Sequence, residues 1–188
     1  MDSCLRRGLA NTVNLRSCAW TRAGTLTSEV LLAIVKHPHL QELAIDGGCH
    51  KCYDPTILPQ FTSVRRISLI MPSPPVIGVL PMWLNSLVNP LQSLTIVCWV
   101  GTTLDVHLYQ NTEPKSTQDY SAVTDELLEQ MSENLSDLDE LSLTGCTRVT
   151  REGLAKALYK NKNGIKSLGI GGVSTSLVRH HCSLRNDT

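Results

Sequence analysis

The chain has 188 residues, enough for one domain or a short repeat array, and its 17 Lys plus Arg are matched by 17 Asp plus Glu. A formal charge of zero argues against a dedicated nucleic-acid binder, which carries a basic excess, and against a polybasic protein of the membrane surface. Hydrophobic residues make up 41%, too many for a disordered chain, but they include 28 Leu and a single Phe, Phe61; the expected core is many thin, similar layers rather than one thick centre.

Residues 1–10 (MDSCLRRGLA) lack the apolar run of a secretory signal, and apolar stretches such as 30–35 fall far short of the ~20 residues a membrane helix needs. One pattern then recurs: apolar, two residues, apolar, one residue, apolar. Its weakest copy comes first, Ala10-Asn-Thr-Val13-Asn-Leu15-Arg-Ser-Cys18. Residues 28–36 (SEVLLAIVK) follow as a helix, with apolar side chains at 30, 31, 34 and 35 and a stop at His37-Pro38. The second copy is Leu40-Gln-Glu-Leu43-Ala-Ile45 and the third Val64-Arg-Arg-Ile67-Ser-Leu69. A shorter helix over 79–87, opened by Pro81, leads to the fourth, Leu91-Gln-Ser-Leu94-Thr-Ile96. Residues 100–119 (VGTTLDVHLYQNTEPKSTQD) are a polar insertion, read either as a loop on a binding rim or as an excursion without a role. Residues 124–135 (TDELLEQMSENL) form a helix with a capping Thr and two acids in its first turn. The clearest copy, Leu138-Asp-Glu-Leu141-Ser-Leu143-Thr-Gly-Cys146, precedes another helix over 150–159. A last copy, Ile165-Lys-Ser-Leu168-Gly-Ile170, precedes a polar tail over 174–188.

The copies start at 10, 40, 64, 91, 138 and 165, giving steps of 30, 24, 27, 47 and 27 residues. The last two apolar residues of each copy are two apart and share one strand face, which points inward; Ala44, Ser68, Thr95, Ser142 and Gly169 point the other way. Stacked in register, the copies predict parallel strands at 43–46, 67–70, 94–97, 141–144 and 168–171, with helices on the outer side.

LSLTGCTRVTREGLAKAL resembles a cysteine-containing leucine-rich repeat, with Leu141, Leu143, Cys146, Val149, Gly153 and Leu154 filling its pattern. VNLRSCAWTRAGTLTSEVLLAIVKHPHLQELAIDG is similar to the leucine-rich-repeat half of fungal F-box proteins. The resemblance covers residues 10–173; Gly48, Pro72 and Trp99 replace the family's Cys or Asn. It implies an α/β solenoid of about six repeats over 1–173, a curved parallel sheet inside and helices outside. It also implies a role as the substrate-holding part of a cullin-based ubiquitin ligase subunit. No F-box is visible, because the first repeat starts about ten residues from Met1; a ligase adaptor is expected only if an F-box lies outside this chain. The alternative is a truncated or orphan repeat protein with a scaffold role or no ligase role.

Seven Cys, at 4, 18, 49, 52, 98, 146 and 182, are an odd and scattered set, read as reduced thiols of a cytoplasmic or nuclear protein; the sequons at Asn134 and Asn186 then carry no glycan. Cys49-His50-Lys51-Cys52 is the one compact metal-like cluster, but zinc takes four ligands and no second Cys pair exists, so it reads as two incidental thiols. Cys18 and Cys146 fall eight residues after their copies begin and read as equivalent core residues. Gly169-Ile-Gly171-Gly172 lacks the rest of a phosphate-binding fingerprint, and His180-His181 reads as solvated. No convergent acid, base or nucleophile appears, so no catalytic residue, metal or cofactor is expected.

What remains is a binding surface. Counting two, four and six positions from each start places Thr12, Asn14 and Arg16 on the concave face, then Glu42, Ala44 and Asp46, then Arg66, Ser68 and Ile70, then Ser93, Thr95 and Val97, then Glu140, Ser142 and Thr144. Ile70 and Val97 make an apolar centre; Arg16, Asp46, Glu42, Arg66 and Glu140 make a rim of mixed sign. That arrangement suits a protein partner, and the mixed signs disfavour a nucleic acid.

Overall fold

A computed structural model describes residues 8–9, 11–47, 52–98, 122–161 and 164–171. The expectations for the 100–119 insertion, the 174–188 tail and Cys49, His50 and Lys51 concern residues outside those described. Six strands run in one parallel sheet in chain order: β1 (Ser17–Trp20), β2 (Glu42–Asp46), β3 (Arg66–Ile70), β4 (Ser93–Val97), β5 (Glu140–Thr144) and β6 (Ser167–Gly171). Between them lie α1 (Ser28–Val35), a 3₁₀ segment (Pro55–Gln60), α2 (Pro74–Asn85), α3 (Asp125–Met131) with a 3₁₀ continuation (Ser132–Leu135), and α4 (Arg151–Leu158). The class is α/β, as the repeat pattern predicts.

The alternation within each strand decides the layers. In β2 to β5 the second and fourth residues (Leu43 and Ile45, Ile67 and Leu69, Leu94 and Ile96, Leu141 and Leu143) are buried. They join Leu31 and Ile34 of α1, Leu80 and Trp83 of α2, Leu128 and Met131 of α3, and Ala157 of α4 in one core. The first apolar residue of each of these copies, Leu40, Val64, Leu91 and Leu138, is buried with them. The thin-layer expectation therefore holds from β2 to β5. The described helices cover one face of the sheet and leave the other to the odd-numbered strand positions.

Each repeat is tied to the next by the same bond pair. The carbonyl of Arg16 accepts from Gln41 N–H and Glu42 N–H at 2.8 and 3.0 Å, and the carbonyl of Gln41 from Arg65 and Arg66 at 2.7 and 3.0 Å. The carbonyl of Arg65 serves Gln92 and Ser93 in the same way, that of Gln92 serves Asp139 and Glu140, and that of Asp139 serves Lys166 and Ser167.

This ladder corrects the first repeat. Cys18 stands beside Leu43 and Trp20 beside Ile45, so the inward pair is Cys18 and Trp20 rather than Val13 and Leu15. Val13 is 72% exposed. With β1 starting at Ser17 and β2 at Glu42, the first step is 25 residues rather than 30. Cys18 and Trp20 do not show as a copy of the motif because they are not among the aliphatic residues that mark the other copies. Cys18 is therefore equivalent to Leu141, not to Cys146.

Helix starts follow local chemistry. The Thr27, Thr124 and Thr150 hydroxyls accept from the backbone N–H groups of Val30, Leu127 and Gly153, satisfying donors the helix leaves orphaned. Asp125, in the first turn of α3, reaches over to α4: its Oδ1 accepts from Thr150 N–H at 2.8 Å and its Oδ2 from the Thr150 hydroxyl at 2.6 Å. A Cβ on Gly153 would fall on that carboxylate, which is why the second residue of the Gly-Leu pair packs and the first must be bare. The helix expected over 79–87 begins earlier, at Pro74-Pro75, where missing N–H groups cost nothing, and Pro81 sits inside it. The 3₁₀ segment at Pro55–Gln60 had no counterpart in the sequence reading. It starts at Asp54, whose carboxylate accepts from Thr56 N–H at 2.9 Å.

Candidate interaction surface

The sheet face away from the helices is built from three rows of side chains, one residue from each strand in the first two rows and one from each of β2 to β6 in the last. The first row is Ser17, Glu42, Arg66, Ser93, Glu140 and Ser167. The middle row is Ala19, Ala44, Ser68, Thr95, Ser142 and Gly169, and the last is Asp46, Ile70, Val97, Thr144 and Gly171. With parallel strands about 4.8 Å apart, six of them span roughly 24 Å across the rows. No side chain in the middle row is larger than Thr, while Glu42, Arg66, Glu140, Ile70 and Val97 stand beside it. The result is a shallow trough, with a floor of methyls and hydroxyls between a charged wall and a partly apolar one.

The positions expected on this face divide. Glu42, Arg66 and Glu140 are exposed, and Ile70, Val97 and Thr144 are half-buried at its edge, in their predicted rows. Two differ. Arg16 lies one residue before β1, equivalent to Gln41 and Arg65, and its carbonyl belongs to the ladder; it is exposed but not in the row of Asp46. Its misplacement follows from the shifted first repeat, and Thr12 and Asn14 leave the face with it. Asp46 is in the right row but is only 8% exposed, so it is not a solvated rim charge. The chain beyond it packs closely: a Cβ on Gly47 would come within 2.7 Å of the Pro72 Cα, and Gly47 N–H donates to the Ile70 carbonyl at 2.8 Å.

What the face can do follows from its chemistry. Glu42 and Arg66 stand side by side in register with opposite charge, so each presents a partner for a complementary ion. Hydroxyls at Ser68, Thr95 and Ser142 both donate and accept, which suits a polypeptide backbone or polar side chains. Ile70 and Val97, adjacent in register, supply area to desolvate. Ala44, Ser68, Thr95, Ser142 and Gly169 stand in the one row that alternation predicts for them, away from the core. Among the described residues no group of three or more His, Cys, Asp or Glu is placed to hold a metal ion. Among them, no helix is long and apolar enough to cross a membrane. No family model matches the sequence, and no curated protein matches it either.

Proposed function

We propose that this chain is a leucine-rich-repeat solenoid whose uncovered strand face is concave and binds a protein partner, as the substrate-holding part of an F-box-type ubiquitin ligase subunit, and that it works in the cytoplasm or nucleus without metal, cofactor or catalysis. One observation carries the binding reading: a trough with a small-residue floor, Ile70 and Val97 on one wall, and Glu42, Arg66 and Glu140 on the other. An apolar patch beside mixed charges is the composition of a protein interface, where desolvated area supplies affinity and the charges supply register and rate. The repeat period and the strand–helix unit support the solenoid. The ligase role rests on the resemblance of residues 13–47 to the repeat half of fungal F-box proteins, and adaptor binding would need an F-box outside this chain.

A second reading, a repeat array with a scaffold role and no ligase role, is favoured by the exposed apolar row of β6, which suits stacking against a further layer. Capture from cell lysate on the immobilised chain separates the readings. Val97→Asp places a charge in the apolar wall and is expected to reduce capture at least tenfold with the melting curve unchanged. Arg66→Glu and Glu42→Lys are expected to change the salt dependence of capture. Partners retained equally by wild type and Val97→Asp, with the fold intact, would remove the binding face. Retention of the ligase-related partners alone would separate the F-box-type role from a general scaffold.

A further inference from the structure

Cys98 and Cys146 were separated by 48 positions in the chain, yet their sulfurs lie 3.5 Å apart in the core. The fold brings them together by a local irregularity. Cys98 directly follows β4, and its N–H continues the ladder by donating to the Thr144 carbonyl at 2.7 Å. By register the residue opposite Cys98 is Gly145. Gly145 has φ +71, the left-handed region that favours glycine, and turns the chain so that the next residue, Cys146, fills the inward place. Both thiols are free and buried, at 2% and 0% exposure.

We propose that Cys98 and Cys146 form a thiol–disulfide site, oxidised by a peroxide, that staples the ends of β4 and β5 across the one long step of the array. The sulfurs need to close from 3.5 Å to roughly 2.0 Å for the bond to form. The Cys146 sulfur also lies 3.8 Å from the Thr144 carbonyl, to which its thiol can donate. The contact between the two sulfurs lowers one thiol, Cys98, from its ordinary pKa and, together with burial, raises the other, Cys146. Oxidation begins at either sulfur and the other, 3.5 Å away, resolves it; the route through Cys98 stands for both.

The chemistry balances. The Cys98 sulfur attacks one oxygen of hydrogen peroxide, the O–O bond breaks, and the departing hydroxide takes up the proton Cys98 released, leaving as water. Cys98 is now a sulfenic acid, oxidised by two electrons. The Cys146 sulfur attacks it, the S–O bond breaks, the S–S bond forms, and the Cys146 proton leaves with the hydroxide as a second water. Two thiols and one peroxide give one disulfide and two waters.

The site is independent of the partner-binding reading, and its test uses the full chain alone. Native protein is treated with hydrogen peroxide, remaining thiols are alkylated, and peptides are mapped by mass spectrometry without reduction. The expected product is a Cys98–Cys146 linked peptide lighter by two hydrogens, formed at least tenfold less in urea, where seven thiols compete at random. The oxidised protein is expected to melt on the order of 5 °C higher, because the link shortens the unfolded chain, and dithiothreitol reverses the shift. Cys98→Ala and Cys146→Ala each remove the shift; if either fails to fold, the wild-type map decides alone. Cys98 and Cys146 both recovered as alkylated thiols after other cysteines have oxidised would overturn the proposal. So would sulfinic acid accumulating on Cys98, or equal linkage in urea.

Discussion

β5 and β6 carry nearly the same words, Leu141-Ser142-Leu143 and Leu168-Gly169-Ile170, in adjacent register. Leu141 and Leu143 are buried; Leu168 is 48% and Ile170 40% exposed. The strand alternation is identical, so the difference lies in what stands beside each strand. β5 has β4 on one side, β6 on the other and α3 and α4 across its inner face, whereas β6 is at the edge of the described sheet. An apolar residue in a stacked sheet is covered by helices on its inner side and by the neighbouring strands, so a strand at the edge of the described sheet keeps its orientation with less cover. A repeat motif therefore specifies which way a side chain points, and position in the stack specifies how much that direction is worth.

The comparison breaks most sharply at its centre. Leu143→Ala leaves a cavity between two layers and is expected to cost about 2–5 kcal/mol, while Ile170→Ala, already half in solvent, is expected to cost about 1 kcal/mol or less. Urea melts of the two variants check this, and equal costs would mean that β6 is as well covered as β5. Next comes the seam between α3 and α4. Gly153→Ala would drive a methyl into the Asp125 carboxylate and disrupt its two bonds to Thr150, at a cost of about 1–3 kcal/mol. If the variant melts like wild type, the carboxylate is not held there. A smaller effect is expected at Gly145→Ala, about 1–2 kcal/mol from the left-handed backbone alone; a matching Gly164→Ala, also at positive φ but with no close neighbour, should lose a similar amount if backbone strain is the whole cause. The smallest belongs to Ser142→Ala on the uncovered face, within about 0.5 kcal/mol in the same melts.

Legibility varied along the chain for physical reasons. From Leu40 to Leu143 the spacing of aliphatic residues was enough to place four strands within a residue and to sort inward from outward, because a parallel repeat buries the same positions each time. The first repeat was misread because its inward pair is Cys18 and Trp20, and a slip there carried Arg16 and Cys18 to wrong positions. The helix ends were legible where Thr caps them, at Thr124 and Thr150, and not where Pro74-Pro75 opens α2 ahead of the more conspicuous Pro81. Of the candidate face, Glu42, Arg66, Glu140, Ile70, Val97 and Thr144 followed from alternation. Asp46 did not, because alternation gives a direction and says nothing of the chain that folds over a strand end.

By itself the sequence determined the period, the α/β class and the face of each strand, since these depend on residues two to five apart and on the pleat and helix turn that separate them. Only the tertiary structure decided the register of β1, the burial of Asp46, the seat of the Asp125 carboxylate over Gly153 and the meeting of Cys98 with Cys146. Each of these depends on groups 25 or more residues apart, brought together by hydrogen-bonded stacking and by a single left-handed glycine, and no local pattern of residue types encodes such a distance.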